Sequence, residues 1–586
     1  MICQEIPSDP LAASPVLIIG AGPAGIVQAL ELRRHGIDVT MLAGGADGYS
    51  AEFQTLADAE IADPRRHAPM QIAVRRALGG TSLLWGGRCV PFDDIDFADR
   101  PHVPLGGWPL SHDAIRPWYE VGMRYLNAGA ADFSAPVPSL AAMADCRADR
   151  LERWSERRNL RKLHADALER DPGLKILLGA VAVGIAVDPV SGRAAGVEVA
   201  LPSGQRKTLR ARAIVLACGG LETTRLILAA RMNRPRLFGG AEGLLGRGYM
   251  AHFEGRIADV VFGPALPENM FDFFVDGSGR YARRRITINA ETQQRCGLLN
   301  MAAWPDNPLL SAPSHRSAIL SLAYLSLATP GLGRLLEPEA IRRKYLEHGI
   351  NQPAKHLGNI IAGLPEAARD AARFLYRRYG TTPRLPGFFI RNKARRYAFF
   401  YHAEQAPNPA STVSLTEARD ALGMPRLKID LRFSEFDARS VVASHTIIDR
   451  NLRDAGIGRL EYHFPEEERQ ARVWDQMTDG YHQIGTIRMA ADPAHGVVDA
   501  DCRVHGTANL FVAGCAVFPT SGQANPTLLI TALSARLAEH VARLVRDLPE
   551  PAPVGNTRLR EHAVAATTVR PSFTSEPHPS PVTMAE

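Results

Sequence analysis

The 586-residue sequence predicts an α/β protein whose first part is a Rossmann-like dinucleotide-binding domain. Three observations predict it. A short apolar run, Val16 to Ile19, leads into GAGPAG, then IVQALELRRHG with apolar residues at helical spacing, then a second strand, DVTMLAGG. Farther on, ARAIVLACGGLETTRLIL repeats the rhythm of strand, glycine and helix, and between them LKILLGAVAVGIAVD and AAGVEVA alternate like an antiparallel pair. The nucleotide domain is thus expected to be assembled from separated segments.

In the first segment Gly20 allows the tight turn, Gly22 lets the backbone approach a pyrophosphate, and Gly25 lets helix and strand pack closely. Pro23 and Ala24 open the helix, whose first amides and dipole suit phosphate. The second strand should end in Asp or Glu to hold a ribose, yet Ala43 stands there, which leaves the amides of Gly44 and Gly45 or the side chain of Asp47 as replacements. A second glycine cluster, LGGTSLLWGGR from Leu78 to Arg88, offers Gly79, Gly80, Thr81 and Ser82, suited to crowding amides and hydroxyls onto a charged or flat ligand. Trp85 sits beside them, either against a ligand ring or in packing alone. Ala182 and Gly219 are the expected contacts from the two later segments.

Bulk properties exclude several classes. With 46% hydrophobic and 22% charged residues the chain reads as globular, and 68 basic against 62 acidic residues leave a net charge of only +6. No basic tract with interleaved aromatics appears, so nucleic-acid binding is not expected. The seven cysteines are scattered with no C-x-x-C pair, so no metal site is expected. The start, MICQEIPSDPLAASP, lacks the features of a secretory signal, which predicts a cytoplasmic protein. No transmembrane segment is expected: SAILSLAYLSLATPGLG from Ser317 is broken by serines and stopped at Pro330. The stretch from Ser314 to Tyr401, with IRRKYLEHG and FLYRRYG, is rich in helix formers and basic residues and reads as a lid, a docking face for an acidic partner or a solvated surface. Past Leu548 the sequence is Pro/Ser/Thr-rich, and residues 549–586 are expected to be disordered.

The stretch YHQIGTIRM places His482 ahead of a Gly-Thr turn, where a histidine is structural unless partners make it a catalyst. The long ending from HQIGTIRM through FVAGCAVFPTSGQANPT to LLITALSARLAEHV, taken with GAGPAG and LGGTS, resembles the glucose-methanol-choline (GMC) oxidoreductases. LGGTSLLWGGR, GWPLSHDAIRPWYE and EQAPNPASTVSL look most like the branch acting on sugars and polyols. The resemblance implies FAD as cofactor, a substrate domain on an antiparallel sheet plus helices, and oxidation of an alcohol to a carbonyl. It carries the two active-site positions onto His482, taking the hydroxyl proton as hydride passes to flavin N5, and Asn525, aligning the alcohol. Gly514, Cys515 and Ala516 match the stretch that wraps the flavin end, and Asn525, Pro526 and Thr527 open the closing helix toward its pyrimidine edge.

The layout implied is an FAD domain at 14–255, a substrate domain at 256–480 with a helical insertion at about 314–401, and a return to the FAD domain at 481–548. Some relatives bond the flavin to a histidine in the glycine-pair loop. Here Leu84 holds that place, so FAD is expected without a covalent link. Ala251 stands where many relatives have Asp, and His252 is expected to be structural. The substrate is a small alcohol, and oxygen, a quinone or another carrier takes the electrons. Two other readings share parts of this pattern: a non-redox lyase with structural FAD, and an NAD(P)H-fed flavin monooxygenase, disfavoured because no second G-x-G-x-x-G follows a strand.

Overall fold

The apolar run Val16–Ile19 lies in β1 (Ser14–Ile19), inside a six-stranded, all-parallel sheet. From one edge the strands are Ile2–Cys3, Leu174–Leu178, β2 (Val39–Ala43), β1, β3 (Ala211–Leu216) and Leu510–Val512. The central strands are continuous apolar runs because both sheet faces are covered. Helix α1 (Pro23–Arg34) follows β1 and packs against α5 (Thr527–Asp547), while α2 (Gly220–Met232) follows β3. The structure, a computed structural model, describes residues 2–3 and 14–548 apart from 138–139, 141, 189, 202–203, 233–237, 241–242, 330, 337–345 and 347–351. The tail at 549–586 and most of IRRKYLEHG lie outside the described residues.

Gly25 shows why the opening motif needs its glycines. A Cβ there would stand 1.9 Å from the Gly20 carbonyl oxygen, so only glycine lets α1 leave β1 this tightly.

The second layer is an antiparallel sheet of eight strands. Its middle pairs β4 (His252–Phe262) with β5 (Arg396–Glu404) in a register that sets His252 opposite Glu404 and Glu254 opposite His402. Side chains alternate along a strand, so these four share one face, while Phe253, Tyr401 and Ala403 point into the apolar core on the other.

Three boundaries differ from the sequence reading. Leu174–Leu178 joins the parallel sheet, and only after Gly179 (φ +69°) does Val181–Val187 pair antiparallel with Ala194–Ala200. Arg88–Cys89 and Cys146–Trp154 lie within the first 255 residues yet are strands of the antiparallel sheet. In the insertion, α3 (Pro353–Ala362) and α4 (Leu364–Tyr379) are helices, but by Arg396 the chain is already strand β5.

Candidate active site

One cavity of about 2,000 Å³ runs from the glycine turns to the insertion helices, beyond the roughly 300–1,000 Å³ usual for one small ligand. Its dinucleotide end is lined by Gly20, Gly22, Pro23, Ala24, Gly80, Thr81, Trp85, Ala182 and Gly219, its far side by Gly514, Cys515, Asn525, Pro526 and Thr527. Four predicted contacts do not face it and act from behind. Gly25 packs on Gly20; Gly79 (φ +99°) makes the turn; Ser82 Oγ ties that turn together through Gly79 O at 2.6 Å; and Ala516 O accepts from the Ile487 amide at 2.9 Å.

The cavity fits FAD. A Cβ at Gly219 or Gly514 would meet no atom within 4 Å, and one at Gly22 only Gly80 Cα at 3.8 Å, so bare backbone borders open space where a pyrophosphate and ring must approach. Trp85 is a fixed wall: its Nε1 donates to Arg158 O at 2.7 Å. Asp47 is not the ribose partner, because Arg161 holds it at 2.7 Å away from the cavity. The carboxylate that does border the cavity near Ala43 is Glu222, on the first turn of α2. Its Oε2 accepts from Arg76 Nη1 at 2.7 Å; its buried Oε1 makes no hydrogen bond, with Arg225 Nη1 3.6 Å away. Cys89, the nucleophile near the glycine pair, is buried, outside the cavity lining, and pushed up to about 12 by desolvation.

At the other end stand three imidazoles. His482 follows Gly480 (φ +50°) and Tyr481 (φ +62°), two left-handed residues in succession, and a Cβ on Gly480 would lie 2.5 Å from His252 O. The loop can therefore press against β4. The His252 ring meets His482 edge-on at 4.7 Å and stacks on His402 at 4.7 Å and 20°. His252 Nε2 lies 2.9 Å from Ser521 O, an acceptor only, so Nε2 carries the proton and Nδ1 is a lone pair. That lone pair sits 2.8 Å from His482 Nδ1, which must then be the donor. The remaining nitrogen, His482 Nε2, is left unprotonated, 3.3 Å from Asn525 Nδ2, whose amide can donate to it. Asn525 Oδ1 is buried without a hydrogen-bond partner.

Electrostatics holds the rings neutral. Burial pushes His482 and His402 well below the ordinary histidine range, aided by the neighbouring His252 and by the Arg88 guanidinium; His252 is pushed down to about 4, chiefly by burial. Arg88 is paired with Glu152 and stacked 4.4 Å over Trp304. The ligating atoms of the three histidines lie within 4.8 Å of one another, but both nitrogens of His252 and Nδ1 of His402, 2.7 Å from Gln523 O, are already engaged, and Arg88 repels a cation.

His252 is therefore more than a packing residue: it is hydrogen-bonded directly to His482. The sequence reading also missed His402, Glu254 and Arg88, all of which line the cavity. A signal existed in FFYHAE, where His402 and Glu404 alternate with apolar residues in a buried strand.

Known proteins give the same picture. The family model described as GMC oxidoreductase matches residues 407–534, and that described as FAD binding domain matches 13–50. Paromamine 6'-oxidase of Streptomyces fradiae is 24% identical over 90% of this chain and 91% of its own. The fructose dehydrogenase large subunit of Gluconobacter japonicus is 23% identical over 63% of this chain and 54% of its own. The crystal structure of pyridoxine 4-oxidase from Mesorbium loti superposes with a TM-score of 0.50 at 17% identity, covering 90% of this chain and 99% of that one. With the glycine turns, the parallel sheet and the closing helix all in place around one cavity, the chain carries an FAD-binding domain and a GMC oxidoreductase domain, the parts of an FAD-dependent oxidoreductase acting on CH–OH groups.

Proposed function

We propose that this enzyme oxidises a hydroxyl of a sugar, polyol or related compound to a carbonyl, with His482 as the base and Asn525 as the aligning group. The observation that carries this reading is the chain Ser521 O, His252, His482, which leaves an unprotonated Nε2 on the cavity wall 3.3 Å from Asn525 Nδ2. An alcohol oxygen entering between the two accepts from the amide and donates its proton to the imidazole. Loss of that proton makes the carbon a far better hydride donor, help worth typically ~10²–10⁴-fold. FAD, when bound, supplies the hydride acceptor. The sugar preference is supported by the names of the two relatives above, and the polar lining near the base, Arg88, Glu254 and His402, suits a substrate with several hydroxyls.

FAD is held in this reading without a covalent bond, since Leu84 lines the cavity where a linking histidine would stand and Cys89 is held as a buried thiol. A cytoplasmic setting is supported by the seven cysteines, all free. Among the described residues no helix is long and apolar enough to cross a membrane.

The test is anaerobic mixing of holoenzyme with sugars and polyols while the flavin spectrum is followed. Bleaching is expected, and His482→Ala should retain the FAD spectrum but slow bleaching at least ~10²-fold. Bleaching by NADPH alone, no bleaching by any alcohol, or an unimpaired His482→Ala would each overturn the assignment.

A further inference from the structure

The insertion presents large apolar side chains to solvent. On α3, Leu357 and Ile361, one turn apart, are 53% and 70% exposed; on α4, Leu375, Tyr376 and Tyr379 are 48%, 67% and 53% exposed. Single exposed apolar residues are ordinary, but several on two successive helices mark a surface that something covers. Charge identifies the cover. The two helices carry Lys355, Arg369, Arg373, Arg377 and the buried Arg378 against only Glu366 and Asp370, a net +3 within 26 residues where the whole chain of 586 has +6. Helices that expose Lys and Arg beside Leu, Ile and Tyr suit the boundary of an anionic lipid layer, where the rings and aliphatic chains enter the headgroup region and the cations meet phosphate.

Position supplies the third observation. Ala371, Phe374, Leu375 and Tyr379 of α4 line the same cavity that ends at His482 and Asn525, so α4 borders the cavity and α3 continues that helix outward.

We propose that α3 and α4 seat this enzyme on an anionic phospholipid bilayer with the mouth of the active-site cavity turned toward the lipid. A reactant dissolved in the bilayer then reaches the cavity along apolar side chains without crossing water. The seating depends on the insertion alone and not on the reaction assigned above.

The test is sedimentation of the holoenzyme with vesicles of phosphatidylcholine alone and of phosphatidylcholine mixed with phosphatidylglycerol. Binding to the mixed vesicles is expected, weakened at ~1 M salt, where the Debye length falls to about 3 Å. Ile361→Glu with Tyr376→Glu, and separately Arg369→Glu with Arg373→Glu, should each lower partitioning at least ~10-fold. None of these side chains lines the cavity, so flavin bleaching by a water-soluble alcohol should be unchanged, which shows the variants are folded. Three results would overturn the proposal: no binding to either vesicle, equal binding by the variants, or a dimer in solution that Ile361→Glu dissolves without any vesicle binding, which would make a second copy the cover.

Discussion

His252 makes its contribution without titrating near neutrality. Its buried ring is pushed down to about 4, so at neutral pH it accepts from His482 Nδ1 and fixes which nitrogen of the base is bare. His252→Phe removes that acceptor and frees the other tautomer. Flavin reduction should slow by roughly 10²-fold with little change in FAD binding, and His252→Gln, which restores an acceptor, should recover part of the loss. Equal rates for Phe and wild type would dismiss the relay. The pH profile checks the same residues. The His482 pKa lies below the ordinary ~6.5, so activity is present above the lowered value and lost as pH falls through it, and the acid limb of kcat/KM should lie well under 6.5. Burial is the largest cause and Arg88 adds to it, so Arg88→Met should shift that limb upward.

At the scale of elements, α2 supplies what β2 lacks. With Ala43 at the end of β2, the cavity-side carboxylate is Glu222, whose Oε1 is buried without a hydrogen bond. A ribose hydroxyl would satisfy it. Glu222→Gln should weaken FAD binding by about tenfold, since a hydrogen bond to a charged group is worth roughly 1.5–3 kcal/mol, and titration of apoprotein by flavin fluorescence reads it directly. An unchanged affinity would return the role to the amides of Gly44 and Gly45. This residue also marks the limit of what sequence could tell. The glycine turns, β1 and the start of α5 announce themselves because each has a local cause: a left-handed turn, a fully buried strand, a helix opening. His482 and Asn525 were reachable through motifs. Glu222 and His252 were not, and His402 showed only as a polar residue alternating in an apolar strand, because their meeting depends on the register between β4 and β5 and on a helix about 180 residues past its partner strand, which no local pattern announces.

The whole molecule is two layers around one large cavity, with apolar cores under both sheets. A ligand filling that space binds only the folded chain, so FAD should contribute about 2.7 kcal/mol at a concentration of 100 Kd. Stripping FAD should lower Tm by a few degrees and restore it on adding FAD back but not riboflavin, which lacks the diphosphate that the Gly20–Gly25 turn receives. A Tm indifferent to FAD would place the cofactor outside the cavity.

The bare nitrogen on His482 exists only where three remote pieces of chain meet: Ser521, His252 and the loop at Gly480 that presses within van der Waals reach of the β4 backbone. Colour and turnover therefore report different things about a sample. Yellow preparations certify the dinucleotide half alone, whereas catalysis is a checksum on the assembled pair of layers. On gradual heating or ageing the enzyme should fall silent while still yellow, and a batch judged by its spectrum will be overcounted.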